Sequence, residues 1–155
     1  MNLKDVAAIV TGGASGLGGA TAEMLTSHGA KVAIFDVNED AGLAKATELG
    51  GVFVRTDVTD EASVAAGLAQ AQAAHGVARV LVNCAGIAPA IRVVAKDGSP
   101  HALSAFRKAI EVNLVGSFNL IAQFSALLVA AGIEGEEAGA IINTASVAAY
   151  DGQIG

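Results

Sequence analysis

Short apolar runs that alternate with longer, alanine-rich runs constrain the fold of this chain more than any other feature. Five such runs are rich in Val and other apolar residues, and one helix-forming stretch separates each run from the next. Strands separated by helices pair in parallel through right-handed crossovers, and helices then cover both faces of the sheet. The pattern predicts an α/β fold: a Rossmann-type, doubly wound parallel sheet in three layers.

Local signals set the ends of these elements. Asn38 is a predicted helix cap, Gly50 a predicted helix stop, and residues 59–61 open a further helix. The predicted strands are 6–10, 31–35, 52–55, 79–83 and 140–144, and the predicted helices are 15–27, 39–49, 59–74 and 104–128. Residues 1–155 are interpreted as one domain.

Charge and composition exclude some classes of function. The net charge is −6, and a surface that follows nucleic-acid phosphates needs clustered Lys and Arg, so we expect no nucleic-acid partner. The acidic residues Glu134, Glu136 and Glu137 are interpreted as a solvated turn. His28, His75 and His101 have no metal-ligand spacing, so we expect no metal site.

The single cysteine and the distribution of apolar residues indicate a compartment. Cys84 is the only cysteine, so no intrachain disulfide can form, which fits a reducing environment. No continuous run of 18 apolar residues is present, which predicts no membrane helix. The N-terminus lacks the pattern of a secretory signal. We therefore expect a cytoplasmic protein.

A glycine-rich turn lies between the first strand and the first helix, where such a turn binds phosphates. An early glycine, Gly12, lets the chain reverse sharply, and Gly16 has no Cβ to hold a pyrophosphate away from the backbone. Gly18 lets the helix pack close to the sheet, and the Ser15 hydroxyl is a phosphate donor. With the free N–H groups of the helix N-terminus, these residues and Leu17 form a predicted pyrophosphate site.

Asp36 ends the second strand, twenty positions after Gly16. A carboxylate there accepts hydrogen bonds from both hydroxyls of an adenosine ribose and repels a 2′-phosphate. The following residues, 37–40, include no Lys or Arg to bind that phosphate. The cofactor is therefore predicted to be NAD rather than NADP; the alternative for Asp36 is a helix cap.

The turn has the spacing Gly-x-x-x-Gly-x-Gly and resembles the fingerprint of the short-chain dehydrogenase/reductase family. Further matches follow in the family's order along essentially the whole chain. The resemblance implies a pair that faces adenine, a segment at the cofactor, a helix asparagine that holds a proton-relay water, and a catalytic serine. In this sequence they are Asp57-Val58, Asn83-Cys84-Ala85-Gly86 (with Cys84 in place of a second Asn), Asn113 and Ser146.

Within that family, four segments resemble the type II 3-hydroxyacyl-CoA dehydrogenases. They are residues 11–18, 83–88 and 141–149, and the His-x-Leu-x-x-Phe pattern of residues 101–106. This resemblance implies the NAD-dependent conversion of a 3-hydroxyacyl-CoA to the 3-ketoacyl-CoA. It also implies a homotetramer that acts on a small-molecule substrate.

The family's general acid/base is a tyrosine, assisted by a lysine four residues later. The resemblance puts them at about positions 159 and 163, beyond Gly155, so we expect the sheet to be truncated after its fifth strand. We then expect these 155 residues to be the N-terminal portion of a longer dehydrogenase, inactive alone. Tyr150 has Ile154 four residues on and is predicted to pack, and Gln153 lies where the family approaches substrate.

Two alternatives stay open from the sequence. One is another alcohol or hydroxysteroid dehydrogenase of the same family, because a fold does not set its substrate. The other is a non-catalytic dinucleotide-binding module. Ser146 and Asn113 favour the enzyme, because a module that only binds the cofactor needs neither residue.

Overall fold

The computed structural model describes residues 1–133 and 137–152, which form a five-stranded parallel sheet with helices on both faces. The strand order is β3-β2-β1-β4-β5, with β1 (Ala7–Thr11), β2 (Lys31–Asp36), β3 (Val52–Arg55), β4 (Val80–Asn83) and β5 (Ala140–Asn143). The helices are α1 (Gly16–Ser27), α2 (Glu39–Leu49), α3 (Glu61–His75), α4 (Leu103–Ile110), α5 (Gly116–Ala130) and α6 (Ala148–Asp151). The predicted α/β fold is confirmed.

The boundaries agree with the predicted ones to within one or two residues, because local side chains fix them. The Asn38 side chain accepts a hydrogen bond from the Ala41 N–H at 3.2 Å and caps α2. The α2 helix ends at Gly50, whose φ of 63° is left-handed. Asp60 caps α3 in the same way as Asn38, accepting from the Ser63 N–H at 2.7 Å.

The two faces of the sheet carry separate apolar clusters, which confirms the three-layer arrangement. On one face α3 and α5 cover Ile9 and Leu81, and on the other α1 and α2 cover Val10 and Val82. Neighbouring residues of one strand thus point into opposite layers. Because all the strands are parallel, their carboxyl ends meet at one edge, where the loops after them converge.

The long predicted helix is interrupted. Between α4 and α5 the residues Glu111–Val115 form a π-helical turn, with Asn113 at its centre. Single π turns are rare and occur often at functional sites. No signal in the sequence distinguishes such a turn from the α-helix on either side of it.

The combined helical segment Leu103–Ala130 is also long and apolar enough to cross a membrane, judged by length and composition alone. Helices that pack on the core of a globular domain satisfy the same criteria. Here Gly116, Leu120 and Phe124 are buried at spacings of four residues, and the last two lie in the core cluster beneath α5. The expectation of no membrane helix stays a prediction.

The last described segment differs from expectation. The short α6 was not predicted, and Tyr150 within it is 92% exposed, so the prediction that Tyr150 packs is wrong. Its neighbours in this four-residue helix are also mostly exposed, so nothing there covers the ring. Glu134, Glu136 and Gln153 lie outside the described residues, and Glu137 is exposed.

Candidate functional site

The carboxyl ends of the strands border a cavity of about 510 Å³. Every residue predicted to bind the cofactor lines it except Asn83. The predicted residues on its wall are Gly12, Ser15, Gly16, Leu17, Gly18, Asp36, Asp57, Val58, Cys84, Ala85 and Gly86. The fold thus gathers into one site residues that lie in four separate stretches of the sequence.

The glycine turn forms one wall of this cavity. Gly12 and Gly16 have φ values of 62° and 53°, and a Cβ added to Gly16 would meet no atom within 4 Å. The backbone there faces open space. Ser15 begins α1 without using its side chain as a cap, so its hydroxyl is free for a ligand. The first amides of a helix have no intrahelical partners, so the wall suits an anion.

Gly18 is required for a reason different from the predicted one. We expected it to bring α1 close to the sheet. A Cβ at Gly18 would instead lie 2.2 Å from the carbonyl oxygen of Gly12, within the turn itself. The contact that excludes a side chain is between the helix and its own phosphate-binding turn.

Asp36 connects the end of β2 to that turn. Its Oδ2 accepts a hydrogen bond from the Ala14 N–H at 3.1 Å, and its Oδ1 accepts from the Asn38 N–H at 3.0 Å. Each carboxylate oxygen can accept a further hydrogen bond, so both remain available to ribose hydroxyls. Asn38, not Asp36, caps α2, so the alternative reading of Asp36 as a helix cap is wrong.

The residue in register with Asp36 on the neighbouring strand is a cation that the prediction of NAD left out of account. Arg55 ends β3 and pairs in register with Asp36 on β2. The NAD prediction examined only residues 37–40, which follow Asp36 along the chain. The register partner of Asp36 on the next strand cannot be identified from residues 37–40.

Asp57 and Val58 follow β3 at the far side of the cavity. The Asp57 carboxylate accepts hydrogen bonds from the Thr59 N–H at 2.9 Å and from the Thr59 hydroxyl at 2.7 Å. The backbone N–H first and the hydroxyl second hold the pKa of Asp57 below its ordinary value. Val58 is buried, and Gly116 at the start of α5 is close enough that a Cβ there would lie 2.6 Å from Val58 Cγ2.

Replacing Thr59 with valine is expected to raise the pKa of Asp57 part of the way towards its ordinary value. Only the hydroxyl donor is lost, and the backbone donor remains. A depressed folded-state pKa stabilises the protein above the unfolded-state pKa, and this contribution is lost as pH falls through the folded-state pKa. Urea unfolding should therefore show Thr59→Val less stable than wild type at pH 7, and the gap should narrow under acid. If the hydroxyl does not act on Asp57, the difference in stability between Thr59→Val and wild type should be the same at every pH. The control is the same comparison in the Asp57→Asn background, where the pH dependence of that difference should vanish.

Thr11 fixes the wall contributed by β4. It is buried, and its hydroxyl oxygen accepts hydrogen bonds from the N–H groups of Cys84 at 3.1 Å and Ala85 at 3.0 Å. The Cys84 side chain packs against the core cluster of the α1 face. No role was predicted for Thr11, although it directly precedes the glycine turn.

Asn83 was predicted to bind the cofactor, but its side chain lies outside the cavity wall. Its buried side chain donates from Nδ2 to Asn143 Oδ1 at 2.9 Å and links the ends of β4 and β5. It does not line the cavity. Asn83 thus joins two strand ends behind the wall, through its hydrogen bond to Asn143.

The two predicted catalytic residues lie outside the cavity wall. Asn113 binds the backbone of Ile87 twice, with Oδ1 accepting from the Ile87 N–H and Nδ2 donating to the Ile87 carbonyl, both at 2.8 Å. Ser146 is exposed after β5, and its Oγ accepts from the Ala148 N–H at 3.2 Å. The catalytic roles of both residues stay predictions.

Several lining residues were not predicted. Most of them adjoin a predicted residue in sequence, so extending each motif by one position would have found them: Phe35, Val37, Thr56, Ile87 and Val112. Lys108 adjoins no motif. It lies one helical turn before Val112, which is the only cue to its position. Among the described residues, no group of three or more His, Cys, Asp or Glu could hold a metal ion.

Comparison with known proteins decides the family. The profile of the short chain dehydrogenases matches residues 6–155. The chain belongs to this family. The curated 3-hydroxyacyl-CoA dehydrogenase type-2 of Homo sapiens is 44% identical over 99% of this chain and 60% of its own length. The Drosophila melanogaster protein of the same name is 45% identical over 99% of this chain and 62% of its own length.

A solved structure supports the same assignment. The 3-hydroxyacyl-CoA dehydrogenase type-2 from Mycobacterium avium is 40% identical and superposes with a TM-score of 0.86, covering 100% of this chain and 63% of the other. This short chain dehydrogenase thus spans about three fifths of the length of the curated relatives it matches. The resemblance stated from the sequence is confirmed, and the family is one of oxidoreductases that bind NAD or NADP.

Proposed function

We propose that the protein carrying this sequence is an NAD-dependent dehydrogenase that interconverts a 3-hydroxyacyl-CoA and a 3-ketoacyl-CoA. The observation that carries the cofactor choice is the Asp36 carboxylate, which the Ala14 N–H holds beside the glycine turn. The names of the relatives at 44% and 45% identity support the substrate class. The alternative within the family is another secondary alcohol, including a hydroxysteroid.

The cofactor is bound by residues that follow the ends of three strands. The turn after β1 holds the pyrophosphate with backbone amides and the Ser15 hydroxyl. Asp36 after β2 accepts from the ribose hydroxyls, and Val58 after β3 offers a buried apolar surface to the base. When bound, the nicotinamide supplies or accepts the hydride.

Residues near β4 and β5 bind the substrate oxygen and position the loop beside it. The Ser146 oxygen accepts the Ala148 N–H, so its own proton is free to be donated to a substrate oxygen. Asn113 holds the loop after β4 by its two hydrogen bonds to Ile87. The proton itself would be exchanged by the tyrosine that the family resemblance implies, with a pKa lowered by the neighbouring lysine.

Turnover measurements test this proposal. The complete protein is expected to reduce NAD in the presence of 3-hydroxybutyryl-CoA, followed by NADH absorbance, and to do so faster than with NADP or with a hydroxysteroid. A preference for the steroid, or for NADP, would overturn the corresponding part of the proposal. A protein that binds NAD but oxidises none of a panel of secondary alcohols would be the non-catalytic module.

A polypeptide of residues 1–155 is expected to show no such turnover. Tyr150 is the only tyrosine among them, and the side chain four residues later is Ile154, which supplies no cation. The measurement is the same absorbance assay, with the complete protein as the positive control. Turnover by residues 1–155 would contradict the assignment of proton transfer to a tyrosine outside them.

We also propose that the protein is a cytoplasmic homotetramer. The long helical segment supports the assembly, because its apolar side chains Phe106, Leu114 and Phe118 are 55%, 63% and 68% exposed. A surface row of large apolar residues favours a protein interface. Sedimentation of the complete protein tests it, and a monomer would contradict it.

A further inference from the structure

Lys108 is a lining residue for which the family motifs give no role. It lies in the last turn of α4, four residues before Val112, and both residues line the cavity. Gly116, one turn further along, packs against Val58. This face of the helical segment therefore borders the part of the cavity formed after β3. The charge of Lys108 is also close enough to act on Asp57.

The ammonium group of Lys108 is available to a ligand. Within residues 1–133 and 137–152, no carboxylate lies within 4.0 Å of it. It is also the one cation among the described residues on the cavity wall, which otherwise carries the carboxylates of Asp36 and Asp57. An ammonium group on the wall of the cavity can contact a ligand bound there.

The order of groups along the cavity indicates what Lys108 meets. The pyrophosphate belongs to the turn after β1, and the ribose to Asp36 after β2. The next position in that order, after β3, is where the base lies. An adenine ring has an electron-rich face and ring nitrogens that accept hydrogen bonds, and a lysine ammonium binds both kinds of group.

We propose that Lys108 binds the adenine ring of the cofactor and closes the cavity over it from α4. This inference rests on the proposed function, because it requires an adenine dinucleotide in the cavity. Lys108 would then raise the affinity for the adenosine half of the cofactor. It would not act on the reacting end.

Binding measurements on the complete protein test this role. Lys108→Met keeps the apolar stem and removes the ammonium, and it should weaken NAD binding roughly two- to fivefold, the range for an exposed cation over an aromatic face. Arg107→Met is the matched control, since Arg107 is exposed in the same helical turn and does not line the cavity. Calorimetry gives the NAD affinities, and adenosine is measured by competition with NADH, followed by fluorescence.

Uncharged adenosine separates a contact with the base from an attraction for the phosphates. The expected result is that Lys108→Met weakens adenosine and NAD by the same factor, while Arg107→Met leaves both unchanged. Unchanged adenosine affinity in Lys108→Met, or an equal loss of affinity in Lys108→Met and Arg107→Met, would overturn the role of Lys108. Neither result would contradict the proposed function. A wild-type protein that binds no NAD would overturn the proposed function as well.

Discussion

Replacing Gly18 with alanine is expected to weaken NAD binding by about 10- to 100-fold, the loss of one hydrogen bond to a charged group of the pyrophosphate. The added methyl would lie 2.2 Å from the Gly12 carbonyl oxygen, and backbone cannot give way as a flexible side chain does. The turn and the start of α1 must therefore separate, which moves the amides that hold the pyrophosphate. Calorimetry with NAD measures the effect, and thermal unfolding should show a loss of about 1–3 kcal/mol.

The next residue of α1 provides the matched control. An alanine Cβ at Gly19 would have its nearest neighbour at 3.6 Å, an ordinary contact. Gly19→Ala should leave NAD binding unchanged and should stabilise the helix by up to about 1 kcal/mol, the difference in helix propensity. If Gly18→Ala and Gly19→Ala behave alike, the close approach between α1 and the turn is not what shapes the phosphate site.

Replacing Asp36 with alanine is expected to weaken NAD binding by roughly 1–3 kcal/mol, through the loss of charge-assisted hydrogen bonds to the ribose. Asp36→Ala also removes the acceptor for the Ala14 N–H, so part of its effect would come from the turn. Asp36→Asn keeps an acceptor oxygen for that N–H and removes the charge, and it gives up only the hydrogen bond from the Asn38 N–H. It is the better test of the ribose contact.

Asp36→Asn should also change cofactor preference. The repulsion of a 2′-phosphate disappears, and Arg55, the register partner of Asp36, is the cation that we expect to reach that phosphate. The ratio of the Kd values for NADP and NAD should therefore fall, and Arg55→Gln in the same background should reverse the gain for NADP. Asp40→Asn, which makes the same change outside the cavity, is the control. Unchanged NAD affinity in Asp36→Asn would remove the ribose role.

Much of the fold was predictable because its signals are local. Each strand is apolar along its length, and caps such as Asn38 and Asp60 act within three residues of their own positions. The parallel, doubly wound character of the sheet followed from the alternation of strands and helices, whereas the strand order was read from the structure. The π-helical turn at Asn113 was not predictable, because no local signal marks it and the partner of Asn113, Ile87, lies 26 residues away.

The candidate site shows the same division between local and long-range information. The glycine turn, Asp36 and the segment 83–86 were found because each is a motif that directly follows a strand. Arg55 and Lys108 were missed because their relevance arises from a neighbouring strand and from a distant helix. Asn83 was assigned to the cofactor from its motif alone, but its side chain joins two strand ends through its hydrogen bond to Asn143.

The most direct test of this account is a crystal structure of the complete protein with NAD. The account predicts the pyrophosphate against the amides of the turn at Gly16, and the Asp36 carboxylate within hydrogen-bonding distance of both adenosine ribose hydroxyls. A map with the dinucleotide in another cavity would contradict it. A map in which the Asp36 oxygens contact only the Ala14 and Asn38 N–H groups would contradict it too.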